Sequence, residues 1–268
     1  MCVYDIRTTE SALRTLEELT GVDPAKWEDG YQNRALYQFD DDLVEGIIKK
    51  DGHFPDSYES WRFVYSHITT SANCCKSILD NGILDLRETY SLLDSELRQF
   101  LDSKEIYIKL NDRVLEYRGK QYDISYGKCP STFDNEAHAR WLIGRKFYYD
   151  YNICGFLSIS DNVPYLGNVH QRPEILFDID NLLGLTLSQE WRRDHKPYEV
   201  VVEASGSEIE FDVDNVQSSD EITLTYLTKA YFSAIGGPSE EPLLLKRHVQ
   251  VSPINIKRVK PLKCWELR

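Results

Sequence analysis

The chain has 268 residues, of which 41% are hydrophobic, and a formal net charge of −13 at pH 7. This size allows one large domain with an apolar core, and no run approaches the roughly 20 apolar residues of a membrane span. An acidic surface argues against binding nucleic acid over its whole area, although the segment from Pro242 onward has seven basic residues against one acidic residue. The N-terminus lacks the basic-then-apolar order of a signal peptide, so we expect a soluble, cytoplasmic protein.

The six cysteines argue against a metal centre. None forms a CxxC pair, and the adjacent Cys74 and Cys75 with His67 have no second ligand pair at a spacing suited to zinc. We therefore predict no metal site, and free, buried thiols in a reducing compartment.

Residues 1–60 predict an acidic, helical N-terminal flank, followed by a main domain over 61–268. Thr8 or Thr9 can cap a first helix that Gly21 ends, and Asp23-Pro24 suits the start of a second. Three aspartates at 40–42 precede a third apolar pattern, where negative charge favours a helix start. We expect the flank to cover a sheet edge; a lid or accessory cap is the alternative.

Residues 63–82, FVYSHITTSANCCKSILDNG, are the most informative stretch. The first residues favour a strand, and alternation places His67 and Thr69 on one face at its end. Thr70 or Ser71 can cap a short helix that Asn81-Gly82 ends. Polar groups at a strand end indicate a binding site, whereas an ordinary strand–helix connection with a hydrogen-bonded histidine is the alternative.

The remaining patterns favour an α+β fold. Leucines at helical spacing over 86–101 predict one helix, residues 115–120 a hairpin turn, and 137–148 a helix whose aromatic stripe, including Trp141, lies in the core. Strands are predicted at 155–160, 199–203, 208–213, 243–251 and 254–259, with a helix at 223–234 and a turn-rich segment at 161–173. Because these strands cluster in the second half without βαβ alternation, a doubly wound sheet is disfavoured.

A pair of carboxylates, Glu240 and Glu241, stands where a glycine-rich loop enters a strand. A carboxylate there can stabilise developing positive charge or accept a hydroxyl proton. The alternative is that both are solvated loop acids.

Together these motifs resemble the ADP-ribosyltransferase family. The resemblance rests on His67-Ile68-Thr69, the helix over SILDNGI (77–83), the aromatic-rich middle strands, and Glu241 before a late strand. It covers roughly residues 60–260, and it implies a split β-sheet fold that uses NAD as a co-substrate. Members with a similar His-x-Thr include bacterial toxin-type transferases, some of which modify nucleic acids. At the late pair of glutamates, Glu240 and Glu241, neither a Glu-x-Glu nor a Gln-x-Glu motif is present, which argues against modification of arginine.

The resemblance also implies roles for particular residues. His67 and Thr69 would hold hydroxyls of an NAD ribose, and Glu241, with Glu240 as the rival, would bind the 2′-hydroxyl of the nicotinamide ribose. Tyr165 is the first candidate to stack on the nicotinamide.

Two further assignments are left open by the sequence. Tyr148 and Tyr149 are rivals to Tyr165, with core packing as the alternative for each. Arg172 would contact the diphosphate or serve as a structural ion-pair partner.

The implied function is transfer of ADP-ribose from NAD to a nucleic acid or protein, as in a toxin or antiphage effector with an inhibitory protein partner. NAD hydrolysis at the same site and a non-enzymatic interaction module are the alternatives. The basic C-terminal segment would contact the acceptor or neutralise the acidic flank; it contains Lys246, Arg247, Lys257, Arg258, Lys260 and Lys263. No membrane partner is expected.

Overall fold

The computed structural model describes residues 2–32, 40–130, 135–160, 168–211 and 218–262, which form a mixed α+β structure. The described helices are α1 (Thr9–Thr20), α2 (Pro24–Gln32), α3 (Asp40–Asp51), α4 (Lys76–Asn81), α5 (Leu86–Ser91), α6 (Glu96–Ser103), α7 (Asn135–Tyr148), α8 (Glu174–Leu183), α9 (Leu187–Asp194) and α10 (Ser219–Gly236). The described strands are β1 (Val3–Tyr4), β2 (Arg62–Ser71), β3 (Ile106–Lys109), β4 (Val114–Tyr117), β5 (Lys120–Asp123), β6 (Cys154–Ser158), β7 (Lys196–Ser205), β8 (Ile209–Glu210), β9 (Glu241–Leu245) and β10 (Ile256–Pro261).

Internal contacts divide the chain into two compact units. The first unit comprises 1–67, 154–163 and 201–246, and the second comprises 68–153, 164–200 and 247–268. Strands β2 and β7 each pass from one unit into the other. The predicted division into 1–60 and 61–268 is a different one and stays a prediction.

The larger sheet has the strand order β10-β7-β2-β6-β9-β8, with β1 added beside β2. Strand β6 runs antiparallel to both of its neighbours, β2 and β9. Strand β1 pairs with β2 in parallel, from Val3 opposite Arg62 to Tyr4 opposite Phe63. The chain therefore returns to one sheet from distant parts of the sequence.

In the first unit, the N-terminal helices pack on α10. The Thr8 hydroxyl caps α1 in a capping box with Ser11, and Gly21 ends it with φ 70°. Helices α1 and α3 both contact α10. Within the described residues these two helices therefore pack against a helix, and the expectation that the flank covers a sheet edge stays a prediction.

The second unit has its own core between helices and a three-stranded sheet, β3-β4-β5. Buried aromatic and aliphatic side chains from α5, α6, α7 and α8 meet there, with Trp191 of α9. Helices α8 and α9 follow the segment that the sequence predicted as turn-rich, and neither was predicted. The hairpin predicted at 115–120 is present as β4 and β5, with Arg118 and Gly119 at positive φ.

Two local predictions are wrong. Strand β2 continues to Ser71, so His67 and Thr69 lie within the strand, and α4 begins only at Lys76. The Ser71 hydroxyl instead accepts hydrogen bonds from the amides of Asn73 and Cys75. The single helix predicted over 86–101 is divided, because Ser95 caps a new helix, α6, through the amide of Arg98.

Candidate active site

The candidate site of the first unit lies on three neighbouring strands, β2, β6 and β9. Ser66 of β2 lies opposite Phe156 of β6, and Ser158 of β6 lies opposite Glu241 of β9. His67 and Glu241 are therefore on the two strands that flank β6. Neighbouring strands are about 4.8 Å apart and residues along a strand about 3.4 Å, so the two residues are on the order of 10 Å apart in each direction.

His67 is held against the backbone of β6. Its Nδ1 atom lies 2.9 Å from the carbonyl oxygen of Cys154, and its side chain is half-buried. A carbonyl only accepts, so Nδ1 carries the proton and Nε2 presents a lone pair. Burial lowers the pKa of His67, against the opposing effect of the Cys154 carbonyl. The neutral imidazole is therefore an acceptor suited to a hydroxyl group.

Glu241 is the first residue of β9, and both of its carboxylate oxygens are engaged. Lys229 of α10 donates from Nζ to Oε2 over 2.9 Å, and the Ser239 hydroxyl donates to Oε1 over 3.2 Å. A carboxylate has about four lone-pair positions, so each oxygen can still accept another hydrogen bond. Glu240, the rival, is half-buried beside it.

The loop before Glu241 is tied to the middle strand. The hydroxyl of Ser158, fully buried at the end of β6, donates to the carbonyl oxygen of Ser239 over 2.6 Å. Gly237 at the end of α10 has φ 83°, a conformation that favours glycine. The loop therefore restrains the backbone that leads into Glu241. Neither Ser158 nor Lys229 was predicted from the sequence as a residue of the site.

The charge of Glu241 acts on a tyrosine in the aromatic core of the first unit. The Tyr4 hydroxyl donates to the carbonyl oxygen of Tyr226 over 2.7 Å. Burial raises the pKa of Tyr4, and the charges of Tyr226 and Glu241 raise it further. Glu241 therefore lies close enough to a buried phenol for the two to interact electrostatically.

Thr69 and Arg172 belong to the second unit. Thr69 is half-buried on β2, two residues beyond His67 along the strand. The Arg172 guanidinium lies 4.7 Å from the centre of the Phe177 ring, and burial lowers its pKa. Among the described residues no carboxylate lies within ion-pair distance of Arg172, so the alternative of a structural ion pair finds no partner there.

The three candidate tyrosines have different surroundings. Tyr165 lies outside the described residues. Tyr148 donates its hydroxyl to the carbonyl oxygen of Leu110 over 3.0 Å and is half-buried. Tyr149 is 40% exposed, and its ring stacks on Tyr126. The assignment to Tyr165 stays a prediction.

The basic C-terminal segment is only partly available to an acceptor. Lys260 pairs with Glu199 at 2.6 Å, and Lys246 donates to the carbonyl oxygen of Ser207 over 2.7 Å. Arg247 lies over the Tyr149 ring. Lys263 lies outside the described residues. Part of the predicted phosphate-binding edge is therefore used for contacts within the protein.

Within the described residues, no group of three or more His, Cys, Asp or Glu side chains is arranged to hold a metal ion. Cys75 is a buried free thiol as predicted, but the free cysteines Cys2, Cys74, Cys129 and Cys154 are exposed. None of the described helices combines the length and apolar character needed to cross a membrane.

The chain matches no protein-family model, no curated protein and no solved structure.

Proposed function

We propose that the protein transfers ADP-ribose from NAD to a macromolecular acceptor and releases nicotinamide. The observation that carries the proposal is the pairing of β6 with the His67 strand on one side and the Glu241 strand on the other. Each of the two side chains is held by a hydrogen bond at a fixed position. A separation on the order of 10 Å along and across the strands suits an extended dinucleotide better than a single small group.

In this proposal His67 binds a ribose hydroxyl. Because Nδ1 donates to the Cys154 carbonyl, Nε2 can accept a hydrogen bond from the ribose hydroxyl without a change of tautomer. The lowered pKa keeps the ring neutral near pH 7, which preserves this acceptor. Thr69 would add a second hydroxyl contact.

Glu241 acts on the other ribose. One of its remaining lone pairs accepts a hydrogen bond from the 2′-hydroxyl of the nicotinamide ribose. The negative charge of the carboxylate stabilises the oxocarbenium-like state. The bond between C1′ and the nicotinamide nitrogen breaks, and its electron pair leaves with nicotinamide, which becomes neutral. The acceptor then forms a bond to C1′ and loses a proton to solvent or to a nearby base.

Lys229 has a positioning role in this scheme. Its ammonium group donates to Oε2 and so restrains the carboxylate while leaving lone pairs for the substrate. Stacking of the nicotinamide on Tyr165 and a contact of Arg172 with the diphosphate stay predictions from the sequence.

The test is incubation of the full chain with NAD labelled in the adenylate part, together with a cell lysate. We expect label to enter a macromolecular fraction, and digestion with protease or nuclease identifies its class. Free ADP-ribose without a labelled macromolecule would indicate NAD hydrolysis instead. Intact NAD under all conditions would leave only the interaction module and overturn the proposal.

A further inference from the structure

Four rings in the second unit form a nearly parallel column. The order is Tyr149, Tyr126, Trp141 and His138, with successive centroid distances of 5.0, 5.7 and 6.0 Å and interplanar angles of 22°, 31° and 21°. We call these four residues the ring column. Tyr149 is 40% exposed and the other three are half-buried. The aromatic stripe of α7 is therefore not wholly core as predicted, because Trp141 joins this column.

The fold holds the column in place. The Trp141 indole donates from Nε1 to the carbonyl oxygen of Gly127 over 2.9 Å. Gly144 of α7 allows the segment carrying Tyr126 to lie against the helix, since a Cβ there would come within 2.0 Å of the Ile124 carbonyl oxygen. A close helix–loop contact of this kind fixes the rings before any ligand arrives.

Three cations that have no carboxylate partner among the described residues border the column. The Arg247 guanidinium lies 4.1 Å from the Tyr149 ring centre, and that of Arg145 lies 5.9 Å from the Trp141 ring centre. Among the described residues neither arginine forms an ion pair. Lys128, exposed next to Gly127, adds a third positive charge.

The neighbouring acids do not cancel these charges. Glu136, on the same helix, lies 3.9 Å from Arg140. Asp150 is half-buried, and its backbone amide donates a hydrogen bond to the carbonyl oxygen of Arg145. On a protein with net charge −13, this surface is a local exception to the acidic whole.

We propose that the ring column, with Arg145, Arg247 and Lys128, binds single-stranded nucleic acid. Unpaired bases stack on aromatic rings and on guanidinium planes, and the Arg247 guanidinium lies 4.1 Å from the centre of Tyr149, the exposed end of the column. The phosphates would contact the three cations. In a duplex the base faces are already stacked on one another, so duplex binding should be weak. Binding of the strand does not require that the protein cleave NAD. Only modification of the bound strand rests on the proposed function.

The test uses the full chain and a fluorescent oligothymidylate of about 12 nucleotides, within the site sizes of single-strand binders. Anisotropy at low salt should show binding that falls as salt rises, and a duplex of the same length should bind at least about tenfold more weakly. Absence of binding to the single strand, or equal affinity for the duplex, would overturn the proposal. If the surface binds a protein instead, the single strand will not bind.

Variants locate the binding. Tyr149→Ala should weaken affinity about tenfold or more, and Arg247→Gln should lower the slope of log affinity against log salt by about 0.7. The controls are Tyr107→Ala, whose ring is 39% exposed elsewhere in the same unit, and Arg118→Gln, which lies over Tyr117. Equal losses in the controls would contradict the assignment.

Thermal melts show that each variant is folded. Nicotinamide release from NAD, measured without an acceptor in Arg247→Gln, should equal that of the wild type. These measurements therefore test binding of single-stranded nucleic acid and cleavage of NAD independently of each other.

Discussion

Lys229 Nζ lies 2.9 Å from Oε2 of Glu241, and the pair joins α10 to the first residue of β9. The two side chains are 29% and 27% exposed, so the pair is neither fully solvated nor deeply buried. A pair in this setting contributes little to stability but restricts where the carboxylate points. Its proposed importance is therefore positional.

The first prediction concerns this positioning. Lys229→Met should keep the fold and reduce nicotinamide release on the order of tenfold, because the carboxylate remains but is less well placed. Lys229→Arg should restore part of the loss. Steady-state kinetics should show the change mainly in kcat. Full activity in Lys229→Met would mean that the ion pair has only a structural role.

The second prediction concerns His67. His67→Ala should abolish most of the increase in Tm that NAD produces in the wild type, because a ligand stabilises only the state that binds it. His67→Asn, which can still donate to the Cys154 carbonyl, separates the backbone contact from the Nε2 acceptor. If NAD stabilises His67→Ala as much as it stabilises the wild type, His67 does not bind NAD.

The third prediction concerns pH. Burial lowers the pKa of His67 below its ordinary 6.5. Between the folded and unfolded pKa values the unfolded chain binds more protons, so stability should fall as pH drops below about 6.5. Tm measured from pH 7.5 to 5.5 should fall less in His67→Asn than in the wild type. Burial also lowers the pKa of His170, so part of the dependence should persist in the variant. Parallel curves would contradict the prediction for His67.

The fourth prediction concerns β10. Lys260 pairs with Glu199, whose side chain is only 10% exposed. Lys260→Glu should lower the free energy of unfolding by on the order of 1 kcal/mol, because it places like charges on paired strands. Lys260→Gln should cost less, and denaturant unfolding measures both. Equal stability of the two variants would show that charge at this position is unimportant.

Local signals in the sequence predicted local structure well. Thr8 and Gly21 marked the ends of α1, and Gly82 ends the helix α4 with φ 85° as expected. These positions are decided by capping and by positive φ, which depend on a few adjacent residues. Helix α8 was missed because the neighbouring turn residues dominated the pattern.

The candidate site depends on contacts that no local pattern reports. Glu241 was predicted as a candidate because a carboxylate at a strand start after glycines is visible in the sequence, and the structure places it at the start of β9. Lys229 was not found, since its contact with Glu241 depends on how α10 packs beside the sheet. The contact between His67 and the Cys154 carbonyl, which fixes the tautomer of the imidazole, likewise depends on the pairing of β2 with β6.

The most direct test of the central claim is nicotinamide release from NAD by the wild type and by Glu241→Gln. The control is Glu203→Gln, which removes another strand carboxylate paired with a cation, Arg62 at 2.8 Å. We predict release by the wild type and by the control, and a loss on the order of 10²-fold or more in Glu241→Gln with an unchanged Tm. Loss in Glu240→Gln instead would move the role by one residue. Equal release by the wild type, Glu241→Gln and Glu240→Gln, or no release by the wild type, would contradict the claim.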